Sequence, residues 1–117
     1  MTRVVVADND PDVIELLVLD LTLDGHEVVG AAMNGDDAVA LCRELAPDVL
    51  VVDYRMPPGP DGIEVVRRLR GQPDLRFVVY SNYADPALYE AAARLGATYL
   101  AKGQLAALRR AVRGVAA

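Results

Sequence analysis

Tryptophan is absent from this chain, and cysteine, histidine, lysine and phenylalanine occur once each, as Cys42, His26, Lys102 and Phe77. A single cysteine excludes an internal disulfide, so the chain is expected to work in a reducing cytoplasm. One histidine makes no zinc site. His26 follows Gly25 and is expected at the surface, whereas Cys42, on the apolar face of a helix, is expected in the core. No apolar run approaches a membrane span, and the opening MTRVVVADND enters a strand-like run without a signal-peptide pattern. Positive charge is also scarce. A net charge of −5 argues against this chain gripping nucleic acid by itself. Of the twelve basic residues all but Lys102 are arginine, so the lone lysine invites a specific role.

Apolar material is plentiful. Hydrophobic residues make up 53% of the 117, enough for a true core in one domain over residues 1–117. Seven prolines and nine glycines punctuate the pattern. Val4–Ala7 is a short β-branched run. Asp10-Pro11 is a helix start, an N-cap acid with proline at the first helical position. Val13, Ile14, Leu17 and Leu21 keep helical spacing until Gly25. His26–Ala32 reads as a strand, Asn34 caps a helix with Ala38, Leu41, Cys42 and Leu45 on one face, and Val49–Val52 is a third strand. Ile63–Arg70 is helical, Phe77–Tyr80 a fourth strand, and Asp85-Pro86 opens a helix through Leu95. Thr98–Ala101 is a fifth strand, and Leu105, Leu108, Val112 and Val115 step along a last helix. Arg109, Arg110 and Arg113 on that helix are expected to form a solvated face.

Strand and helix alternate five times, and the runs at 4–7, 49–52 and 77–80 are apolar throughout, as suits parallel strands covered on both faces. The pattern predicts a doubly wound three-layer α/β fold with right-handed crossovers. Ligands of open α/β sheets bind at the carboxyl ends of the strands. Those ends carry Asp8, Asn9 and Asp10, then Asp53, then Ser81 and Asn82, then Lys102. Clustered acids repel and lose hydration, and a cation relieves both costs. Mg2+, which takes one or two carboxylates and keeps waters, suits such a set. A carboxylate beside Mg2+, a hydroxyl and an ammonium form a phosphoryl-transfer arrangement in which the carboxylate is the nucleophile. Spacing alone does not choose which acid that is.

The segments VVVADND (4–10), VVDYRMPPGPDG (51–62), VVYSN (78–82) and ATYLAKG (97–103), in this order and at these intervals, resemble the receiver domain of two-component response regulators. The resemblance spans essentially the whole chain and implies a parallel five-stranded (βα)5 sheet in the order 2-1-3-4-5, the flavodoxin-like arrangement. It implies Asp53 as phosphoryl acceptor and Asp8 as the first metal-binding acid, with the backbone carbonyl of Arg55 as a further Mg2+ ligand. Ser81 and Tyr99 match the switch hydroxyl and switch aromatic. Lys102 matches the lysine that pairs with the acceptor and then with the phosphoryl oxygens. The Met56-Pro57-Pro58 loop would hold the backbone ligand in place. The side chains of Arg55 and Tyr83 fall where the family tunes water access to the phosphoryl group; both are bulky, which implies slow self-dephosphorylation.

Three departures stand out. Asn9 replaces the second metal-binding acid and adds no charge, which implies weaker metal affinity; Asp10 would compensate in part if it turned inward, although its better role is capping the first helix. The loop 57–61 is one residue longer than the commonest pattern, and Gly103 replaces a proline that often follows the lysine. The expected function is a phosphorylation-controlled switch fed by a sensor histidine kinase, regulatory and not an enzyme beyond its own phosphorylation and dephosphorylation. Asn9 keeps a second reading open, a phosphorylation-independent interaction module. A haloacid-dehalogenase-like phosphatase would need an acid where Arg55 stands. The ending LAALRRAVRGVAA resembles the last receiver helix of regulators with a helix-turn-helix output domain, so nucleic acid would be met only through an output domain outside this chain. A homodimer through the fourth helix, fifth strand and fifth helix is a further expectation.

Overall fold

The computed structural model describes residues 1–114. Five strands alternate with five helices: β1 (Arg3–Ala7), α1 (Pro11–Leu23), β2 (Glu27–Ala32), α2 (Gly35–Leu45), β3 (Val49–Val52), α3 (Gly62–Leu69), β4 (Arg76–Ser81), α4 (Pro86–Arg94), β5 (Thr98–Ala101) and α5 (Leu105–Arg113). All strand pairs are parallel, and the sheet order is β2-β1-β3-β4-β5. This is the doubly wound order that the resemblance to receiver domains implies. The expected Val115 step of the last helix lies outside the described residues.

The apolar runs become strands because each of their side chains finds a covered face. Val5, Ala7, Leu50, Val52, Phe77, Val79 and Tyr99 face α2, α3 and α4, where Cys42, Val65, Val66, Leu69 and Ala92 complete the layer. The alternate residues Val4, Val6, Val49, Val51, Val78 and Tyr80 face α1 and α5, against Leu17, Leu21, Leu108 and Val112. Successive strand residues point to opposite faces. Full burial of each Val or Leu contributes about 1.5–3 kcal/mol of transfer free energy, so the central strands are the most strongly held part of the sheet. Helix starts follow the polar residues before them. Asp10, Asn34 and Asp85 accept backbone N–H bonds at the starts of α1, α2 and α4. Asp61 does so for α3, accepting from Glu64 N–H at 2.8 Å.

Two expectations are corrected. His26 is only 8% exposed, because its backbone N–H turns back to the Leu21 carbonyl and its ring Nε2 sits 2.9 Å from Asp24 Oδ2. The arginines of α5 are not one solvated face. Arg109 pairs with Asp20 at 2.8 Å and Arg113 forks onto Asp24, while Arg110 stays exposed. These partners lie 89 positions apart in the chain, beyond the reach of helical spacing. The Arg113 guanidinium, with help from His26, holds the Asp24 carboxyl below its usual range despite some burial. Arg76 completes the seat of α5 by donating to the Ala111 and Val112 carbonyls, each at 2.8 Å.

Candidate functional site

Parallel pairing carries the chain ends of the central strands to one edge of the sheet. The ladder continues one residue past β1 and β3: Asp8 N–H donates to the Ala32 carbonyl at 3.0 Å and Asp53 N–H to the Ala7 carbonyl at 2.9 Å. Both acids therefore start from rigid backbone. Ser81 closes β4 opposite Ala101, and its carbonyl accepts from Lys102 N–H at 2.9 Å, which sets the lysine one residue past the serine's partner. Asp8 is 1% exposed, Asp53 7% and Ser81 0%.

The Lys102 ammonium lies 2.8 Å from Asp8 Oδ2 and 3.3 Å from Asp53 Oδ2, bridging the two carboxylates. Asp8 Oδ1 meanwhile accepts from Asp10 N–H at 2.9 Å. Burial pushes the Asp53 carboxyl above its usual pKa. The Asp8 charge adds to this, while Lys102 and the Ser81 hydroxyl pull the other way and lose. Burial would lower the Lys102 ammonium, but the Asp8 hydrogen bond and the charges of both acids leave it raised. One ammonium thus faces two buried acids, an incomplete neutralisation.

A cavity of about 250 Å³ opens beside this trio, lined by Asn9, Asp10, Asp53, Arg55, Pro57, Asn82, Tyr83 and Lys102. Of the two residues expected to complete the metal set, Asp10 caps α1 through its own side chain, and both Asp10 and Asn9 line the cavity. Among the described residues, no three His, Cys, Asp or Glu side chains gather as a metal cage. Two buried carboxylates beside a polar cavity are still the donor chemistry Mg2+ accepts, since it retains several waters. The residues present fit that ion. A larger depression of about 440 Å³ lies on the α3–α4 side, over Tyr54, Ile63, Leu88 and Ala91. It contains neither buried acid nor the lysine, so the chemistry belongs to the smaller cavity.

The loop after β3 is pinned by Met56, whose side chain is 1% exposed, and by Gly62, whose N–H donates to the Tyr54 carbonyl at 2.7 Å. A Cβ at Gly62 would lie 2.2 Å from the Asp53 carbonyl oxygen, so only glycine lets α3 start this close to the buried acid. Across the site, both expected switch residues hold one peptide segment. Tyr83 N–H donates to Ser81 Oγ at 3.3 Å, and Tyr99 Oη donates to the Tyr83 carbonyl at 2.6 Å. The Tyr99 ring is buried and meets Tyr89 edge-on, with centroids 4.6 Å apart.

Sequence reasoning missed how these parts interlock. The Tyr83 ring meets Tyr54 edge-on at 6.0 Å and lies under the Arg55 guanidinium, also at 6.0 Å. The Tyr80 hydroxyl accepts from Gly103 N–H at 2.8 Å. No spacing rule announces contacts between residues 23 to 29 positions apart. Lys102, by contrast, was visible as the sole lysine.

Comparison with known proteins agrees with this geometry. Residues 4–113 match the family model described as the response regulator receiver domain. The response regulator GacA of Pseudomonas viridiflava is 35% identical over 97% of this chain and 54% of its own length. The probable transcriptional regulatory protein NarL of Mycobacterium tuberculosis is 39% identical over 81% of this chain and 44% of its own. The chain spans about half, or less, of the curated relatives it matches. Among solved structures, the signal receiver domain of the putative response regulator NarL from Mycobacterium tuberculosis superposes with a TM-score of 0.86 at 34% identity, covering 97% of both chains. The response regulator domain of Thermotoga maritima CheB gives a TM-score of 0.83 at 25% identity, over 98% of this chain and 96% of its own. With the sheet order, the acid pair and the lysine bridge already in place, these matches make the chain a member of the response regulator receiver domain family.

Proposed function

We propose that this receiver domain is a phosphorylation-controlled switch in which Asp53 takes a phosphoryl group from a phosphohistidine of a sensor kinase. The observation that carries the reading is the Lys102 ammonium seated between Asp8 and Asp53. An Asp53 oxygen forms the new P–O bond as the P–N bond of the donor breaks, and the histidine nitrogen keeps the electron pair. Mg2+, held by Asp8, Asp53 and the Arg55 carbonyl with Asn9 or Asp10 alongside, would supply positive charge to the phosphoryl oxygens. Lys102 steadies Asp53 beforehand and turns to the phosphoryl oxygens afterwards. The acyl phosphate carries about −2 of charge where the carboxylate carried a single negative charge, and so makes the strand ends more negative by about one unit. Ser81 moves toward it, and because Ser81 and Tyr99 both grip Tyr83, that movement loosens or re-seats α4 and its contact with Tyr99. The partner surface made by α4, β5 and α5 changes population as a result, with a second copy of this face as one partner.

Incubation with Mg2+ and acetyl phosphate, or with beryllofluoride, tests the reading by intact mass and by spectral change. Added mass that vanishes in Asp53→Asn supports it; no added mass and no spectral change sinks it. Arg55 over Tyr83 narrows water access to the cavity, so the acyl phosphate is expected to persist well beyond seconds; a lifetime of seconds would contradict this part. Its only catalysis would be of its own phosphorylation and dephosphorylation.

Asn9 at the cavity favours the alternative of a phosphorylation-independent interaction module. A Mg2+ titration separates the two: binding in the millimolar range supports the switch, and none supports the module. The matched regulators are about twice as long as this chain, and the output proposed here is transcriptional control through a helix-turn-helix domain beyond α5, in the cytoplasm. No helix among the described residues is long and apolar enough to cross a membrane.

A further inference from the structure

We propose that Tyr80 is the positioning residue for Lys102: its phenol oxygen holds the Gly103 N–H and so fixes the turn from which the lysine reaches both acids. The proposal rests on the reading of Asp53 as acceptor for its functional consequence and on geometry for its physical content.

Tyr80 is 3% exposed, packs in the α1–α5 layer, and immediately precedes Ser81 on β4. Lys102 ends the β4–β5 pairing with its N–H on the Ser81 carbonyl. Beyond that bond the chain turns sharply. Gln104 N–H donates to the Ala101 carbonyl at 3.3 Å, and the Gln104 side-chain oxygen accepts from Ala101 N–H, also at 3.3 Å. Gly103 occupies the third position of this turn with φ +98°, where glycine is at ease. Those contacts are long and lie within the turn. Two short ties flank the lysine and join the turn to β4: the 2.9 Å bond from Lys102 N–H to the Ser81 carbonyl, and beyond it the 2.8 Å bond from Gly103 N–H to the Tyr80 oxygen. A lysine side chain is long and loses about 2 kcal/mol of rotamer entropy when fixed. Holding its ammonium at both 2.8 and 3.3 Å therefore requires that its Cα not drift.

Tyr80→Phe keeps the buried ring and removes only the acceptor. Because Lys102 is the sole lysine, an amine-acylating reagent reads it as a single site, with the Met1 amine as internal control. In metal-free protein, Tyr80→Phe is expected to speed acylation of Lys102 by about 3- to 10-fold, the scale of one lost hydrogen bond, with Met1 unchanged. With Mg2+ and acetyl phosphate, labelling of Asp53 should slow by a similar factor. In a Lys102→Ala background the Tyr80→Phe change should add nothing, since the residue through which it acts is gone. Lys102 acylation at the wild-type rate in Tyr80→Phe overturns the inference. So does an equal slowing of Asp53 labelling in the Lys102→Ala background. A wild type that takes up no phosphoryl group, while Lys102 acylation still responds, removes the acceptor reading and leaves the positioning role standing. Should Tyr80→Phe not fold, amide exchange in the wild type decides: a protected Gly103 N–H supports the bond, and rapid exchange overturns it.

Discussion

Asp53→Asn is expected to make the metal-free protein more stable, by about 1–2 kcal/mol at neutral pH. The bookkeeping starts from one ammonium touching two acids at 2.8 and 3.3 Å, so the two carboxylate oxygens are at most about 6 Å apart, the two distances laid end to end. At an effective dielectric constant of about 20, Asp53 gains roughly 5 kcal/mol from Lys102 and loses at least about 3 kcal/mol to Asp8. The remaining gain of about 2 kcal/mol is outweighed by the several kcal/mol that burying a carboxylate costs. This agrees with the raised pKa of Asp53, whose largest causes are burial and the Asp8 charge. Asparagine removes the repulsion and most of the desolvation, keeps an oxygen for Lys102, and leaves the Lys102–Asp8 pair neutral. Urea unfolding with a chelator present, at several pH values, measures the difference; thermal unfolding should show a rise of roughly 3–5 °C per kcal/mol for a domain this size. The folded pKa of Asp53 lies above the 3.8 of an unperturbed aspartate. Folded wild type therefore takes up its proton first as the pH falls, and its stability rises relative to the variant. The advantage of Asp53→Asn is full above the raised pKa and shrinks as the pH falls through it toward 3.8. Saturating Mg2+ should shrink the advantage from the other side, because it stabilises the wild type by mass action. A variant less stable than wild type in chelator at neutral pH, or an advantage that does not change with pH, would refute the electrostatic reasoning.

Gly62→Ala places a methyl 2.2 Å from the Asp53 carbonyl oxygen, against backbone that cannot swing away. It should cost about 2–3 kcal/mol in urea unfolding and slow Asp53 labelling, and a near-neutral result would show that α3 shifts freely. Tyr99→Phe removes the 2.6 Å bond to the Tyr83 carbonyl. A loss of about 1 kcal/mol is expected, with faster amide exchange across the β4–α4 loop; unchanged exchange there would remove Tyr99 from the switch. Burial pushes the Cys42 thiol up to about 12, so a thiol reagent should label it only on unfolding; rapid labelling of native protein would contradict its place in the core.

Much of the fold was legible before any coordinates. Continuous apolar runs rich in β-branched residues suit strands covered on both faces, so within the strand–helix alternation Val49–Val52 reads as an inner parallel strand. Asp10-Pro11 and Asp85-Pro86 announce helix starts because each supplies an acceptor for free N–H groups and a preset φ. His26 was misplaced for an equally physical reason. Its burial depends on Asp24 and on Arg113 arriving from the far end of the chain, and periodicity contains no information about such a meeting. The paired arginines of α5 were hidden in the same way.

The order of apolar runs, caps and breakers determined a five-fold strand–helix alternation, and with it which residues stand at the carboxyl edge. That follows from local chemistry, since pairing period, capping and proline geometry act over a few residues. Only the tertiary structure decided that Lys102 bridges Asp8 and Asp53, that Ser81 and Tyr99 grip the same peptide at Tyr83, and that a phenol oxygen from β4 holds the turn behind the lysine. Those contacts join positions brought together by crossovers, and their lengths depend on how two packed layers settle against the sheet, which no local rule computes.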